Sequence, residues 1–293
     1  MRLPIAMSSN DSNTFDGLRV AAFEARMAGP LAGLIRKQGG RPVEAPALRE
    51  VPLGGNPVID DFTDRLLAGG FDVVVFETGV GVRYLTGVIE SRISRETWLA
   101  ALAGVKVVAR GPKPASALRE LRVRIDHQVP EPNTWRETLA VLDAHLPVEG
   151  KRVVVQEYGQ PSVELMDGLQ QRGAIVTSVP VYRWALPEDL GPVRRAIAEI
   201  CEGAIGAVLF TSAQQVVHVL QVAADDGREA DLRSALASRA VVGSIGPTTS
   251  ECLRAHGLPV DIEPEHPKMG PLVAAVAAGW RGVGKAAKSR SSE

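Results

Sequence analysis

The sequence has few cysteines, no long apolar run and almost no net charge, and each shortage excludes a class of protein. The two cysteines, Cys201 and Cys252, fall in predicted helices without framework spacing. That excludes a disulfide-stapled secreted domain and reads as buried thiols in a reducing, cytoplasmic compartment. No apolar stretch approaches the ~18 residues of a membrane span. Met1 to Thr14 carries one arginine and only a short apolar run, too little for a signal peptide. A net charge of −1 offers no global attraction to nucleic acid or an anionic membrane, so neither is an expected partner and an acidic ligand needs a local basic site. The five histidines (His127, His145, His218, His256, His266) are scattered with no metal spacing. Neither a Gly-x-Ser-x-Gly elbow nor a phosphate-binding loop is present, and Gly79-Val80-Gly81 has Tyr84 where a dinucleotide fingerprint needs its third glycine. Nothing demands a cofactor or a metal.

What is present is a chain of 293 residues, 45% hydrophobic and 23% charged, with room for two domains and sizeable cores. Its organising stretch runs from Ala207 to Thr249. Ala207-Val-Leu-Phe-Thr-Ser and Val242-Gly-Ser-Ile-Gly-Pro-Thr-Thr are short apolar runs that stop in hydroxyl residues. Buried parallel strands look like this where their carboxyl ends open onto loops, and ligands of open α/β sheets sit beyond those ends. Thr211, Ser212, Thr248 and Thr249 are therefore expected along one edge, with helix 214–224 between their strands.

The same pattern occurs earlier. Val73 to Thr78 precedes Gly79-Val80-Gly81-Val82, and Val107 to Pro112 precedes Lys113-Pro114. Phe76 corresponds to Phe210, Gly111-Pro112 to Gly246-Pro247, Gly17 to Gly150 and Pro46 to Pro180, at intervals that agree within two residues. The chain reads as an internal duplication. In order, strand 17–23, helix 29–38 stopped by Gly39-Gly40, and strand 41–48 open the first copy. Strand 150–155, helix 162–171 stopped by Gly173, and strand 175–182 open the second. Between and after them come further units: strands 72–77, 105–110, 122–128, 206–211, 241–245 and 258–262, with helices over 62–68, 81–91, 96–103, 114–121, 134–146, 190–202, 214–224, 230–237, 248–256 and 270–280. Thr134 followed by Glu137 spells a capping box. Alternating strands and helices predict parallel sheets covered on both faces. Residues 1–14 and 281–293 are expected as disordered tails, the second rich in Lys, Ser and Arg.

Over about Gly17 to Ala278 the pattern resembles uroporphyrinogen-III synthase. The resemblance is carried by the opening strand ending in Arg26, Thr78-Gly-Val-Gly-Val-Arg83, Pro180-Val-Tyr-Arg183, Phe210-Thr-Ser212, Gly246-Pro-Thr-Thr249 followed by helical Leu253, and Gly257-Leu-Pro-Val260 with Pro264. It implies an α/β fold of two similar parallel-sheet domains joined by a two-stranded hinge, with the cleft between them. One domain would hold 15–48 plus 184–278 and the other 49–183, with the crossovers near 48–53 and 182–186. It also implies a cofactor-independent lyase that closes hydroxymethylbilane with inversion of the last ring and loss of water. Such a reaction needs a proton donor for the departing hydroxyl, control of ring conformation through an electrophilic azafulvene and a spiro intermediate, and donors for acetate and propionate groups. Transient hand-over of the linear tetrapyrrole from hydroxymethylbilane synthase would follow. A monomer is expected, because strands and amphipathic helices use up the apolar positions.

Tyr182 is the leading proton donor, a phenol with a reference pKa near ~10, unless it is a core aromatic whose hydroxyl is tied to a backbone carbonyl. Thr211, Ser212, Ala213, Thr248 and Thr249 are candidates to hold substrate carboxylates, although Thr248 could simply cap its helix. Thr78, Gly79, Val80 and Gly81 form the opposite wall, or a plain strand-to-helix turn that needs glycine. Gly111, Lys113, Tyr158 and Gly159 are further strand-end candidates. Arg26, Arg83, Arg110, Lys113 and Arg183 could neutralise carboxylates, and each alone reads as a solvated surface charge. Lys113-Pro114 departs from the hydroxyl residues that the family carries at that turn. Two other readings stand beside the lyase: a non-catalytic tetrapyrrole- or small-anion-sensing module of the same fold, and, disfavoured by the lack of a nucleotide-binding glycine pattern, a methyltransferase-like tetrapyrrole enzyme. The stretch after Trp280 is too short for a fused helix-turn-helix.

Overall fold

The computed structural model describes residues 14–53, 57–157, 159 and 161–285. Contacts divide the chain into two units: unit 1 runs up to Arg49 and resumes at Leu186, and unit 2 is Glu50–Ala185. Unit 1 is built on β1 (Arg19–Ala22), β2 (Arg41–Glu44), β10 (Ala207–Phe210) and β11 (Val241–Ser244). The strands lie in the order β11-β10-β1-β2, and every pairing is parallel. The helices are α1 (Ala28–Lys37), α8 (Gly191–Cys201), α9 (Ala213–Asp225), α10 (Glu229–Ser238), α11 (Pro247–Ala255) and α12 (Met269–Gly279). Period-two alternation sorts the strand side chains onto two faces. Val20, Ala22, Ala207, Leu209 and Val241 pack with Leu31 and Ile35 of α1 and Leu272 and Val276 of α12. Ala21, Val208, Phe210 and Val242 pack with Ile197, Val216, Leu232 and Leu253 from α8 to α11.

Unit 2 repeats the plan with β4 (Val73–Phe76), β5 (Lys106–Ala109), β6 (His127–Gln128), β7 (Arg152–Gln156) and β8 (Ile175–Val179). Their order is β6-β5-β4-β7-β8, again all parallel. Val74, Phe76, Val107, Ala109 and Val154 face the side that carries α2 (Pro57–Leu67), α3 (Gly79–Glu90), α4 (Arg95–Ala103) and α5 (Pro112–Glu120). Val73, Val75, Val108, Val153 and Val155 face α6 (Trp135–His145) and α7 (Val163–Gln171). Strands buried on both faces must be apolar at every position, and all four residues of β4 are buried. Each such Val or Phe contributes about 1.5–3 kcal/mol relative to an exposed one. The duplication is visible at equivalent helix ends: Gly39 after α1 has φ +75° and Gly173 after α7 has φ +77°, the left-handed stop that glycine adopts without a Cβ clash. The chain passes between the units through β3 (Arg49–Pro52) and β9 (Tyr182–Ala185), which form a two-stranded sheet.

Several expected elements differ. Strand 175–182 ends at Val179, because Pro180 brings no N–H to the ladder, and Tyr182 instead opens β9. Strand 41–48 ends at Glu44, although the N–H groups of Ala45 and Ala47 still reach the carbonyls of Ala22 and Phe23. Most of 122–128 is irregular, with Arg122 at φ +60° and only His127–Gln128 paired. Residues 258–262 form no strand beyond a single bridge, Gly243 to Ile262. In both cases a side chain replaces the ladder: Asp126 accepts the N–H of Val107 at 2.9 Å, and Asp261 that of Val242 at 2.7 Å. Of the expected tails, 1–13 and 286–293 lie outside the described residues, whereas 14 and 281–285 are held in place. Trp280–Val283 form a 3-10 turn, the Trp280 indole donates to the Thr14 carbonyl at 3.0 Å, and Lys285 pairs with Asp261 at 2.5 Å. Among the described residues no helix is long and apolar enough to cross a membrane, and no group of His, Cys, Asp and Glu could hold a metal ion. The two cysteines are half-buried rather than buried, and burial pushes both thiols up, so they stay protonated.

Candidate functional site

Parallel strands that share a sheet end along one edge, so each unit gathers its strand-end loops there. In unit 2 the loops after β4, β5 and β7 are neighbours. They carry Thr78 to Gly81, Gly111 with Lys113, and Gly159. Thr78 caps α3: its extended backbone turns the Oγ1 to accept the Gly81 N–H at 3.0 Å. Thr78 Oγ1 also lies 3.3 Å from the hydroxyl of Tyr182. Tyr182 is 3% exposed, within the unit 2 core, and its ring packs at 5.9 Å against Tyr84. Its hydroxyl thus meets a threonine side chain.

The glycines of this edge are close-approach positions. A Cβ on Gly79 would lie 2.7 Å from the Lys113 carbonyl, which brings the starts of α3 and α5 together, and one on Gly81 would overlap the Gln156 amide. Gly111 combines φ +109° with Asn133 where a Cβ would stand. Lys113 is exposed, in a first turn that reads Pro112-Lys113-Pro114. Two prolines leave few backbone donors there, so the ammonium is the main positive group the turn presents. Val80 is half-buried in the first turn of α3. Gly159 accepts the N–H of Trp184 at 3.2 Å. Tyr158 lies outside the described residues.

Behind these loops sits a buried ionic cluster absent from the sequence reading of the site. Glu77 is 2% exposed; its carboxylate accepts from Arg110 Nη1 at 3.0 Å and from the Ser162 hydroxyl at 2.5 Å. Burial pushes the Glu77 carboxyl up, Arg110 and Ser162 pull it down, and Glu157 adds repulsion; the balance is upward. Glu157, 5% exposed, is likewise pushed up by burial against hydrogen bonds from Ser178 and Ser162. Gln156 beside them leaves its buried Oε1 without a partner. Arg110 is therefore an internal counter-ion and not a solvated charge. Arg83 is committed too, its Nη2 donating to both carboxylate oxygens of Glu120 at 3.0 and 3.1 Å.

In unit 1, β10 and β11 are adjacent, so the loops holding Thr211, Ser212 and Ala213 and those holding Thr248 and Thr249 do share one edge. The Thr211 hydroxyl is already engaged: it donates to Glu24 Oε2 at 2.5 Å, and Gln215 reaches the same oxygen at 3.3 Å. A carboxylate of this chain thus occupies the donor expected to receive a ligand's. Ser212 is the N-cap residue of α9, yet its hydroxyl makes no cap bond and is buried without a partner. Thr248 does not cap α11; Gly246 does, with Pro247 at the first position, which leaves Thr248 exposed and Thr249 buried. Arg26, after β1, is exposed on the same edge, and Arg183 of β9 is exposed. A usable signal for the missed carboxylates lay in the duplication: Glu24 and Glu157 each follow the opening strand of their copy, and Glu77 stands where the other copy has Thr211.

The family model described as Uroporphyrinogen-III synthase HemD matches residues 29–274. An uncharacterised protein of Bacillus subtilis (strain 168), YjjA, is 31% identical over 89% of this chain and 95% of its own. A protein of Methanothermobacter thermautotrophicus, provisionally named a uroporphyrinogen-III synthase, is 31% identical over 83% of this chain and 91% of its own. Among solved structures, a mutant uroporphyrinogen III synthase from the extremely thermophilic bacterium Thermus thermophilus superposes with a TM-score of 0.67 at 26% identity, covering 91% of this chain and 98% of that one. The parallel two-sheet architecture, the matched length and these likenesses agree, and the chain belongs to the uroporphyrinogen-III synthase family.

Proposed function

We propose that this protein is a working uroporphyrinogen-III synthase, a lyase of tetrapyrrole biosynthesis that closes hydroxymethylbilane to uroporphyrinogen III with inversion of the last pyrrole ring and loss of water. The observation that carries the reading is the Tyr182 hydroxyl, 3.3 Å from Thr78 at the mouth of α3, on the strand-end edge where α/β sheets bind ligands. The reaction is redox-neutral, so a proton donor and a rigid hold on the polycarboxylate suffice chemically. Tyr182 would protonate the departing hydroxyl. The first-turn N–H groups of α3, which Thr78 caps, and of α11, with Thr248, Thr249, Ser212 and Ala213, would receive acetate and propionate oxygens. Lys113 and Arg26 would supply the positive charge, and Gly79, Val80, Gly81, Gly111 and Gly159 the close backbone approach. We assign Thr211 a supporting place only, because Glu24 occupies its hydroxyl. The two free cysteines suit a cytoplasmic enzyme, and a monomer fed by hand-over from hydroxymethylbilane synthase completes the proposal.

The test generates hydroxymethylbilane in place, adds the protein, oxidises the products and separates the type I and type III isomers. Predominantly type III product is expected, and Tyr182→Phe should lower its rate about 10²-fold or more. The burial of Tyr182 favours one other reading, a tetrapyrrole- or anion-sensing module. Only type I product, formed spontaneously, together with tight tetrapyrrole binding would establish that module instead.

A further inference from the structure

We infer that Thr78 is a positioning residue for Tyr182, its hydroxyl switching between accepting the phenol hydrogen and donating to the phenolate. The inference rests on the lyase reading for its chemistry, but its geometry stands alone. A threonine hydroxyl has one hydrogen and two lone pairs. One lone pair of Thr78 is held by the Gly81 N–H at 3.0 Å, which fixes the oxygen at the N-cap of α3. The Tyr182 hydroxyl is 3.3 Å away. What Thr78 has left is one lone pair and its hydrogen, so rotation about its Cβ–Oγ bond changes it from acceptor to donor toward Tyr182 without moving a heavy atom.

The two settings match the two halves of a proton transfer. While Tyr182 holds its proton, Thr78 can accept it. When the Tyr182 O–H bond breaks, the proton goes to the hydroxyl oxygen of hydroxymethylbilane. The C–O bond breaks with its electron pair leaving on water, and a pyrrole nitrogen lone pair fills the carbon to give the azafulvenium. The phenolate left behind then takes the Thr78 hydrogen in a charge-assisted bond, roughly twice as strong as a neutral one. It also lies beside the positive end of the twelve-residue helix α3. The substituted α-carbon of the last pyrrole attacks the azafulvenium to give the spiro intermediate, and the older bond from that carbon to its methylene breaks to give a second azafulvenium. The unsubstituted α-carbon of the same pyrrole then attacks this carbon and closes the macrocycle, and the proton it loses returns the phenolate to phenol. Thr78 exchanges no atom with the substrate; it lowers the free energy of the charged form of Tyr182.

The experiment compares Thr78→Val, Thr78→Ser and Thr78→Gly with the parent in two readouts. The first is the near-ultraviolet titration of phenolate. The chain has three tyrosines, so the difference from Tyr182→Phe isolates the one of interest. Thr78→Val and Thr78→Gly should shift the Tyr182 ionisation to higher pH, and Thr78→Ser should restore it. The second is kcat against pH for type III product: Thr78→Val and Thr78→Gly should lose about tenfold, the equivalent of one pH unit in phenol ionisation, with KM changed less than about twofold, and Thr78→Ser should recover it. Gly is tolerated at a helix N-cap nearly as well as Ser but has no hydroxyl, so the Ser–Gly comparison separates the hydroxyl from the cap and decides even where the Val variant fails to fold. A Tyr182 titration that does not move in Thr78→Gly, or a kcat equal in the Gly and Ser variants, overturns the inference. If no variant or parent forms type III product, the lyase reading falls, while the titration still decides the Thr78–Tyr182 contact.

Discussion

Single carboxylates of unit 2 respond to burial and pairing with opposite signs. Asp72 accepts three bonds from Arg152, one from its backbone N–H at 2.8 Å and two from its guanidinium at 3.1 and 2.9 Å, which hold its pKa at about 2 against an ordinary 3.8. A lowered folded pKa means stability that is complete above the unfolded value and lost as pH falls through the folded one. Asp72→Asn should therefore cost about 1 kcal/mol at neutral pH, after the discount that solvent screening imposes on a partly exposed pair. In urea titrations that deficit should vanish as pH falls from 3.8 toward 2. Glu77 and Glu157 run the other way. Burial raises both above the ordinary 4.5, so their contribution is complete below 4.5 and fades as pH rises through their folded values. The stability gap between the parent and Glu77→Gln, and between the parent and Glu157→Gln, should narrow as pH increases from 4.5 upward. A gap that widens would mean the Arg110 pairing outweighs burial after all.

Single elements owe their ends to side chains. The capping box of α6 is complete: Glu137 accepts the Thr134 backbone N–H at 2.9 Å, and the Thr134 hydroxyl accepts from the first turn. Thr134→Ala should lower stability by about 1 kcal/mol, read from the thermal midpoint. The outer strands show the same principle on a sheet. Where β11 lacks a full neighbour, the Asp261 carboxylate satisfies the Val242 N–H and is itself braced by Lys285 at 2.5 Å. Asp126 does this for Val107 beside β5, braced by Lys106 at 3.0 Å. A carboxylate on the edge both occupies the donor and blocks strand addition, which is one way sheets avoid edge-to-edge association. Asp261→Ala should cost about 1–3 kcal/mol through the orphaned Val242 N–H, and amide exchange at Val242 should quicken before that at Val208 in the sheet interior.

Across the whole molecule, two sheets with separate cores imply two cooperative units. Asp261→Ala should accelerate exchange through β10 and β11 while β4 and β7 keep their protection, and Asp72→Asn should do the reverse; loss of protection everywhere from either variant would refute it. The strand–helix alternation, the parallel sheets and the repeat were legible in the chain because they are local. Four consecutive apolar residues at β4 suit only a strand covered on both faces, a glycine at Gly39 or Gly173 ends a helix through its own φ, and Thr134 with Glu137 makes a cap within one turn. The hydroxyl-rich strand ends were legible for the same reason. The state of each site group was not. Whether Thr211 was open depended on Glu24, 187 residues away, and the partner of Tyr182 depended on Thr78, 104 residues away. The buried Glu77–Arg110–Ser162 cluster likewise joins three strand-end loops. Sequence by itself determined what each segment is, through backbone dihedrals and side-chain sorting over a few residues. Only the tertiary structure decided which charges are buried and which hydroxyls meet, because desolvation and hydrogen bonding depend on the neighbours that parallel registry brings to one edge.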